Sequence, residues 1–404
     1  MKVQFSSLIY DNPLPQLRSR QAAFPFLAEL DDGTLLAAYQ IGEAFESVDG
    51  TSYISTSTDG GKTWSQPRNM FDKSHEVVPI TDCCKVTSLG GGKLVGVGYE
   101  YDRTHPEWPI GNPETGGLID DRVYITRSSD NGKTWSEHEA VPNHWGPHTE
   151  ASAPITVLKN GDWITPITGF PDWSGKMSDR LCGRLLRSSD EGKTWNDDTV
   201  CMEFEGDCVT CYEQRACQLQ KSGAIVVIGW NENVKTGERL NNHYTISYDN
   251  GKTFSKPMDT GIHGQASSVC AIGEDKLLAL HAVRRDTDRP GIYGYIVDLA
   301  DGTWKIEQEL LIWEPATPVM RDTKAADIFA FLKFGQPGAI LLKNGNIMMS
   351  HWFASDGQYK KMCIRDSNNT VISGIGRDFY CYSFRLQPLQ QQISIRFCLV
   401  LRCA

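Results

Sequence analysis

The sequence contains no run of 18 apolar residues, so nothing in it predicts a membrane-spanning helix. Basic residues are also in the minority, because 40 Lys and Arg against 50 Asp and Glu give a formal net charge of −10. Nonspecific nucleic-acid binding needs basic surface that displaces counterions, and this charge balance argues against it. The segment Met1 to Ser7 has no apolar stretch long enough for a secretory signal. We therefore expect a cytoplasmic protein.

Helical periodicity is almost absent as well. In its place, apolar runs recur in pairs, and each pair is separated by a short turn that contains Gly or charged residues. This arrangement predicts a β-hairpin. The sequence contains six such segments, at residues 24–39, 85–99, 153–168, 216–230, 267–283 and 339–352.

Four copies of one octapeptide follow the first four hairpins. They share the pattern Ser-x-Asp-x-Gly-Lys-Thr-aromatic and occupy residues 57–64, 128–135, 188–195 and 247–254; we call them the Asp turns. Within each one, the Asp can accept hydrogen bonds from backbone N–H groups of its own turn, and the Gly allows a positive φ. A pattern that recurs four times predicts a repeat architecture.

The spacing of the Asp turns predicts the size of the repeat. Their aspartates lie 71, 60 and 59 residues apart, and each interval accommodates four strands with their connections. Six units of four antiparallel strands make an all-β, six-bladed β-propeller. We expect residues 3–9 to supply an outer strand that closes the ring.

Twelve cysteines are present, and Cys208 and Cys211 form a CxxC pair. A zinc or redox site is one interpretation of that pair, but no second ligand pair occurs at matching spacing. Reduced cysteines that fill strand interiors are the favoured interpretation. We therefore expect no metal and no cofactor.

The end of the chain departs from the repeat. Residues 362–367, Met-Cys-Ile-Arg-Asp-Ser, match the translation of a transposon end used in sequencing libraries, and the blade pattern is lost after them. We interpret 362–404 as an artefactual junction, with a genuine divergent C-terminus as the alternative. The predicted propeller domain is therefore 1–361.

Polar residues lead into the predicted inner strands, where a propeller brings its strands together around the axis. Acids, bases and bidentate donors around one axis suit a sugar site, although they could also hydrogen-bond to one another across the channel. The candidates in chain order are Arg20, Asp82, His148, Glu150, Tyr212, Glu213, Arg215, Gln265 and Gln336.

The Asp turn is the Asp-box, and its recurrence over residues 1–361 resembles the sialidase (neuraminidase) superfamily. The resemblance implies three arginines that bind a substrate carboxylate, a Tyr nucleophile activated by a Glu, and an Asp on a loop as acid and base. Glu213 matches the position of the Glu, whereas Gln336 occupies the position of the tyrosine. Ala23 and Trp230 stand where two of the arginines are expected. Candidate replacements among the arginines are Arg20, Arg215, Arg284 and Arg285.

These observations predict a sialidase-like glycoside hydrolase that removes a terminal sugar, with acidic sugars of the sialic-acid type included, from a glycan. Because the tyrosine is missing, carboxylates become the candidate acid and base, and Tyr212 becomes a substitute nucleophile. The candidate carboxylates are Glu46, Asp82, Glu150 and Glu213. We expect His148, Gln265 and Gln336 to contact the substrate. The alternative is a non-catalytic glycan-binding propeller that has lost its nucleophile.

Overall fold

The computed structural model describes residues 1–15, 17–73, 78–315, 334–355 and 376–385. For Ser355 and for residues 376–385, only the backbone is described. The described residues form strands, turns and bends, and no helix occurs among them. Over the same ranges, no helix has the length and apolarity needed to cross a membrane. The suspected junction at 362–367 lies outside the described residues.

The strands are named in chain order. The first nine are β1 (Ser6–Tyr10), β2 (Gln21–Glu29), β3 (Leu35–Gly42), β4 (Thr51–Ser57), β5 (Arg68–Asn69), β6 (Ile80–Gly90), β7 (Lys93–Asp102), β8 (Asp121–Ser128) and β9 (Glu139–Ala140). The next nine are β10 (Thr149–Glu150), β11 (Thr156–Val157), β12 (Trp163–Gly169), β13 (Cys182–Ser188), β14 (Asn196–Glu203), β15 (Tyr212–Gln218), β16 (Ile225–Trp230), β17 (Glu232–Asn233) and β18 (Glu238–Arg239). The last nine are β19 (His243–Ser247), β20 (Met258–Asp259), β21 (Ser267–Gly273), β22 (Lys276–Val283), β23 (Gly291–Asp298), β24 (Lys305–Trp313), β25 (Phe334–Leu341), β26 (Asn346–Ser355) and β27 (Gly376–Arg385).

Antiparallel sheets built from neighbouring strands make up the fold. Five of them use strands that follow one another in the chain, namely β2–β5, β6–β9, β10–β14, β15–β16–β19–β20 and β21–β24. A two-stranded ribbon, β17–β18, is inserted in the fourth of these sheets, between β16 and β19. Every predicted hairpin is present as an antiparallel pair of strands.

The apolar core lies between successive sheets. Leu36 of β3, for example, clusters with Val86 of β6 in the next sheet. Similar clusters join each following pair of sheets. Met348 of β26 clusters with Ala37 of β3, so the last sheet packs against the first. A ring of sheets that pack face to face is a β-propeller, and the chain is therefore an all-β propeller.

The two ends of the described chain meet in one sheet of order β1-β27-β26-β25. Strand β1 pairs with β27 at the outer edge, which is the position predicted for an N-terminal strand. Strand β27 falls in the segment 362–404, yet its backbone pairs along the whole of β26. The interpretation of 362–404 as an artefactual junction stays a prediction.

The third sheet departs from the prediction in its inner strand. A single strand was expected at 153–158, but two short strands, β10 and β11, pair separately with β12. Pro154 lies in the gap between them. Because Pro has no backbone N–H group, it cannot donate to the ladder, and the strand is interrupted there.

Each Asp turn connects the third and fourth strands of its sheet and follows one hydrogen-bond scheme. In the second turn, the Ser128 hydroxyl donates to Asp130 at 2.8 Å and accepts from the Gly132 N–H at 3.0 Å. Asp130 also accepts from the Thr134 N–H at 2.9 Å and from its hydroxyl at 2.6 Å. These donors hold the pKa of the Asp130 carboxyl below its usual range. The turns hold strands together at the outer edge of the sheets, away from the inner strands.

Candidate functional site

Three of the innermost strands carry the same local distortion. In β2, β15 and β25, two consecutive residues oppose a single residue of the neighbouring strand, which is a β-bulge. The first residue of each bulge has a positive φ: 61° at Phe24, 44° at Glu213 and 39° at Gln336. Non-glycine residues rarely adopt this conformation, and such strain clusters at functional sites. The bulges redirect these three side chains relative to the regular strand.

Glu213 and Gln336 meet as a result. The Gln336 side-chain amide donates a hydrogen bond to Oε1 of Glu213, although the two residues are 123 positions apart in the chain. Trp230 Nε1 donates to Oε2 of the same carboxylate at 2.8 Å. Both oxygens of Glu213 therefore accept a hydrogen bond, and the carboxylate is fixed in one orientation.

Arg215 lies beside this carboxylate and is 4% exposed. Its Nη1 donates to the Ser152 hydroxyl at 2.7 Å and to the Gln214 carbonyl at 2.9 Å. The Ser152 hydroxyl and the Glu213 backbone N–H lie near the carboxylate of Glu150 and lower its pKa. The charge of Arg215 thus interacts with both carboxylates, and attraction to them offsets part of the cost of burying the guanidinium.

Glu150 is the carboxyl group whose ionisation the site perturbs. Burial and the nearby negative charge of Glu213 raise the pKa of Glu150 to about 7, whereas Arg215 and the Ser152 hydroxyl act in the opposite direction. Glu213 accepts a hydrogen bond at each of its carboxylate oxygens. Two carboxyl groups close together in one site are the arrangement that glycoside hydrolases use.

Asp121 positions Glu150 through the backbone that precedes it. Its Oδ1 accepts from the backbone N–H groups of His148 at 3.1 Å and Thr149 at 3.0 Å. His148 itself has a φ of 77° and directs Nδ1 towards the Ile119 carbonyl at 3.3 Å. The His148 side chain therefore contacts the segment that precedes β8. Its predicted contact with the substrate stays a prediction.

The second sheet contributes Lys85, which the sequence analysis did not single out as a site residue. Lys85 of β6 is 2% exposed, and its Nζ donates to the Phe24 carbonyl at 2.5 Å and to Cys83 Sγ at 3.6 Å. Tyr99 is opposite Cys83 in the ladder. Burial raises the pKa of Tyr99 well above its usual value, and the charges of Cys83, Tyr101, Glu150 and Glu213 add to this. A neutral phenol close to both carboxylates is the result.

Asp82 was expected among the catalytic carboxylates, and the structure does not bring it to this cluster. Successive side chains of a strand point to opposite faces, so Asp82 lies on the face opposite to that of Cys83 and Lys85. Its carboxylate accepts from the Thr51 hydroxyl at 2.7 Å, from the Ser52 backbone and hydroxyl, and from Lys73. Asp82 is completely buried and ties the second sheet to β4 of the first.

The residues expected from the first sheet lie near the surface. Arg20 forms a 3.1 Å ion pair with Asp49, and the two side chains are 32% and 41% exposed. Glu46 accepts from the Ile110 N–H at 3.3 Å, and its backbone carbonyl accepts from Arg103. The inner end of this sheet presents Phe24 rather than a charged group, because Phe24 occupies the bulge.

Tyr212, the expected substitute nucleophile, is packed among aromatic rings. It stacks on Phe170 with a centroid distance of 5.0 Å and meets Trp230 edge-on at 4.8 Å. Burial raises the pKa of its phenol, which disfavours the phenolate that a nucleophile needs. Among the described residues, no group that would activate it as a base is in hydrogen-bond contact with its hydroxyl.

Arg284 follows β22 of the fifth sheet and contacts β25, so it joins that sheet to the sheet of order β1-β27-β26-β25. Its Nε donates to Gln265 Oε1 at 2.9 Å, and its Nη1 donates to the Phe334 carbonyl at 2.9 Å. Gln265 and Gln336 were both predicted as site residues, and the structure places Gln265 on Arg284 and Gln336 on Glu213. Two buried polar atoms at the site, Gln336 Oε1 and Arg215 Nε, have no hydrogen-bond partner among the described residues.

The cysteines form no disulfide among the described residues. Of the eight whose side chains are described, all are free thiols and all except Cys208 are buried. Burial raises the pKa of both Cys201 and Cys211, which keeps them protonated. Within the part of the chain that the structure describes, no group of three His, Cys, Asp or Glu side chains is arranged to hold a metal ion.

Comparison with known proteins places the chain in a family. A family model described as a BNR repeat-like domain matches residues 109–310, which is half of the chain. No curated protein sequence matches it significantly. Several solved structures share its fold at low sequence identity.

The protein of unknown function from Dyadobacter fermentans DSM 18053 aligns with a TM-score of 0.66 at 19% identity, over 95% of this chain and 98% of its own. The Hadza microbial sialidase Hz136 aligns with a TM-score of 0.60 at 15% identity, over 91% of this chain and 66% of its own. The intramolecular trans-sialidase from Ruminococcus gnavus aligns with a TM-score of 0.59 at 13% identity, over 96% of this chain and 98% of its own. The chain therefore belongs to the BNR repeat-like domain family, and its β-propeller is the one on which the sialidases are built.

Proposed function

We propose that this protein is a glycoside hydrolase that removes a terminal sugar from a glycan. The observation that carries the proposal is the pair of carboxylates, Glu150 and Glu213, which interact electrostatically with each other and with Arg215. A carboxyl group whose pKa is raised towards neutral, as that of Glu150 is, suits the role of a general acid near neutral pH. The sialidase-type fold supports a glycan as the substrate.

In the proposed reaction, Glu150 is the acid. Its raised pKa keeps a proton on the carboxyl near neutral pH, and that proton passes to the glycosidic oxygen as the bond to the anomeric carbon breaks. Along an inverting course, the carboxylate of Glu213, held by its two donors, takes a proton from the attacking water. The remaining hydroxide of the water bonds to the anomeric carbon, the released group leaves with the proton from Glu150, and exchange with solvent returns the proton from Glu213 to Glu150.

Gln336 supports a departure from the tyrosine mechanism that the resemblance implies. A glutamine amide cannot attack the anomeric carbon as a phenolate does, and here it donates to the very carboxylate that would activate a tyrosine. The separation between the two carboxylates distinguishes inversion, at about 6.5–9.5 Å, from retention, at about 5–5.5 Å. The anomer released first, observed by NMR, identifies which course is followed.

The test is hydrolysis of a panel of aryl glycosides that includes a sialoside, uronides and neutral sugars. We expect release of the aryl group from at least one of them, and a loss of that activity in the Glu213→Gln variant. Wild-type protein that turns over none of the panel would overturn the enzyme proposal.

A second candidate is a glycan-binding propeller without catalysis. The observation that favours it is that both oxygens of Glu213 already accept hydrogen bonds, from Trp230 and Gln336. Glycan binding by wild-type protein on an array, together with no turnover of any bound glycan, is the result expected from this candidate.

We also propose the complete architecture. The sheet formed by β1, β27, β26 and β25 serves as the sixth blade, closed by the N-terminal strand, and each blade has four antiparallel strands at its centre. The Asp turns are the Asp-boxes of the first four blades. A crystal structure of the full chain tests the blade count and shows whether β27 occupies its place in the ring.

A further inference from the structure

An open cleft lies between the fourth and fifth sheets, in a part of the fold that the proposed reaction does not use. Ile262, in the loop after β20, forms one side, and β23 and β24 form the other, with Tyr293 and Glu309 in the lining. The volume of the cleft is about 280 Å³. Pockets for small molecules measure about 300–1,000 Å³, so this cleft has the size for a single sugar ring.

Two tyrosines of β23 make an aromatic wall. Tyr293 and Tyr295 are two positions apart, so they share one face of the strand. Their rings are nearly parallel, with centroids 6.4 Å apart and 18° between the planes. The Tyr293 hydroxyl donates to the Arg289 carbonyl at 2.8 Å, and Tyr295 meets His281 edge-on at 5.6 Å. Because contacts within the protein already fix both rings, little side-chain entropy is lost when a ligand binds.

Apolar and polar groups stand beside this wall. Ile306 of β24 lines the cleft and is 45% exposed, which is unusual for a large apolar side chain. Thr287 and Glu309 add a hydroxyl and a carboxylate to the same lining. A pyranose has an apolar C–H face and a rim of hydroxyl groups. The first can pack on Tyr293 and Ile306, and the second can donate to the Glu309 carboxylate.

The charge of the lining is negative. Asp286 is paired, since Arg239 Nη1 lies 3.0 Å and His263 Nε2 lies 3.3 Å from its Oδ2. Glu309 is exposed, and no described residue forms an ion pair with it. None of the described residues that line the cleft is Lys or Arg. An acidic sugar would therefore be repelled, whereas an uncharged sugar would not.

The cleft is a neighbour of the proposed catalytic site. His263 lines it and also lines a narrow pocket formed by Trp230, Arg284 and Arg285. Trp230 in turn donates a hydrogen bond to Glu213. An extended or branched glycan can therefore contact the cleft with one sugar while another sugar is at Glu213.

We propose that this cleft is a second sugar-binding site, which takes an uncharged hexopyranose with its apolar face on Tyr293 and its hydroxyl groups on Glu309. The identity of the ligand as a glycan rests on the proposed function. The cleft takes no part in bond cleavage. A glycan held at this second point has a raised effective concentration at the catalytic carboxylates.

The test is binding of small probes to the full chain, measured by titration with ligand-observed NMR. The neutral probes are methyl glucoside and methyl galactoside. Methyl glucuronide is the acidic counterpart of the glucoside, because it differs only in the carboxylate at C6, and glucosamine is the cationic probe. We expect at least one neutral probe to bind, and the glucuronide to bind more weakly than the glucoside.

Tyr293→Ala removes the outer ring of the aromatic wall and should weaken binding of the neutral probe about 10-fold. Tyr248→Ala is the matched control, since Tyr248 is 66% exposed in the fourth Asp turn and does not line the cleft. It should leave binding unchanged. Thermal unfolding and near-UV circular dichroism establish that both variants are folded.

Glu309→Lys changes the charge of the cleft at an exposed position of β24, so it tests the same site with little risk to the fold. We expect this variant to bind methyl glucuronide more tightly than methyl glucoside, which reverses the order in the wild type. Glu137→Lys is the control for the change in net charge, because Glu137 is exposed after the second Asp turn. It should keep the wild-type order.

Failure of both neutral probes to bind, or neutral binding that Tyr293→Ala leaves unchanged, would overturn the second site. An order of glucuronide and glucoside that Glu309→Lys does not reverse, or tighter binding of glucosamine than of either neutral probe, would overturn its assignment to an uncharged sugar. These results leave the hydrolase proposal standing if an aryl glycoside is hydrolysed. Binding that follows both variants, in a protein that hydrolyses none of the aryl glycosides, supports the cleft and overturns the hydrolase instead.

Discussion

Gln336 donates a hydrogen bond to Glu213, and each of these residues is the first of a β-bulge in the innermost strand of its sheet. Both have a positive φ that side chains other than glycine rarely adopt. The same distortion on opposite sides of the contact directs the two side chains at each other. The contact joins the fourth sheet to the sheet that contains both ends of the described chain.

The first prediction concerns Glu213→Gln. A carboxylate accepts from both Trp230 and Gln336, whereas an amide presents one oxygen and one NH2 group. The NH2 group of the new amide then faces either Trp230 Nε1 or the Gln336 amide, and both of these are also donors. We expect turnover to fall by about 10²- to 10⁴-fold, as for loss of an acid or base, while glycan affinity is kept within a few-fold. Steady-state kinetics and binding titration measure the two effects separately.

Glu238→Gln provides the control, because Glu238 is exposed on the β17–β18 ribbon. It should leave turnover unchanged. Unaltered turnover in Glu213→Gln would remove Glu213 from the proposed reaction.

The second prediction concerns Arg215→Met. The substitution keeps much of the side-chain volume but leaves Glu150 and Glu213 without their shared cation. Removing one partner of a buried charge group is strongly destabilising, and we expect a loss of about 3–5 kcal/mol in the free energy of unfolding. Arg20→Gln is the matched control. Its exposed pair with Asp49 should contribute about 0–1 kcal/mol.

Chemical denaturation of the two variants beside the wild type measures this difference. Equal losses in both variants would show that Arg215 does not compensate the charges of Glu150 and Glu213.

The third prediction uses the raised pKa of Glu150. The folded protein holds a proton on this carboxyl up to about pH 7, whereas the unfolded chain releases it near the usual value of 4.5. The stability that the group contributes is therefore fully present below about pH 4.5 and is lost as the pH rises through about 7. We expect this loss to be on the order of 1–3 kcal/mol.

The glutamine side chain of the Glu150→Gln variant cannot ionise. The free energy of unfolding of this variant should therefore not show the loss that Glu150 causes as the pH rises. Urea denaturation at pH 5 and pH 8, for wild type and variant, makes the comparison. A wild-type protein that gains stability relative to Glu150→Gln over this interval would contradict the raised pKa.

The fourth prediction concerns the Asp turns. Asp249 accepts from the Ser247 hydroxyl, from the Thr253 N–H and from the Thr253 hydroxyl. Asp249→Ala removes these acceptors from an outer turn, so the melting temperature should fall while turnover stays the same. Differential scanning calorimetry and a kinetic assay on one preparation test both statements. Loss of turnover in a folded Asp249→Ala protein would show that the turns act on the site.

Much of the fold could be predicted because its signals are local. Each hairpin is marked by two apolar runs and a turn, and the repeated Asp turns show that the hairpins belong to one architecture. The position of the N-terminal strand follows from the same repeat. The interrupted inner strand of the third sheet could be traced to Pro154, but the extent of its effect depends on packing.

The site was harder to predict because it depends on which face of a strand a side chain occupies. Asp82 and Cys83 are neighbours in sequence, yet alternation sends them to opposite faces, and a shift of one residue exchanges their roles. Lys85 was overlooked for the same reason, as a charged residue inside an apolar strand. The bulges are invisible in the sequence, since Glu213 and Gln336 are not residues that signal a positive φ.

The central claim is that Glu150 donates a proton to the leaving group, and the dependence of rate on the leaving group tests it most directly. The measurement is kcat/KM of wild type and Glu150→Gln on two glycosides of the sugar that the protein hydrolyses, one with a dinitrophenyl and one with an alkyl leaving group. A dinitrophenolate departs without protonation, so the variant should keep nearly all of its activity on the first substrate. On the second it should lose about 10²- to 10⁴-fold. Equal loss on both substrates, or no loss on either, would contradict the account.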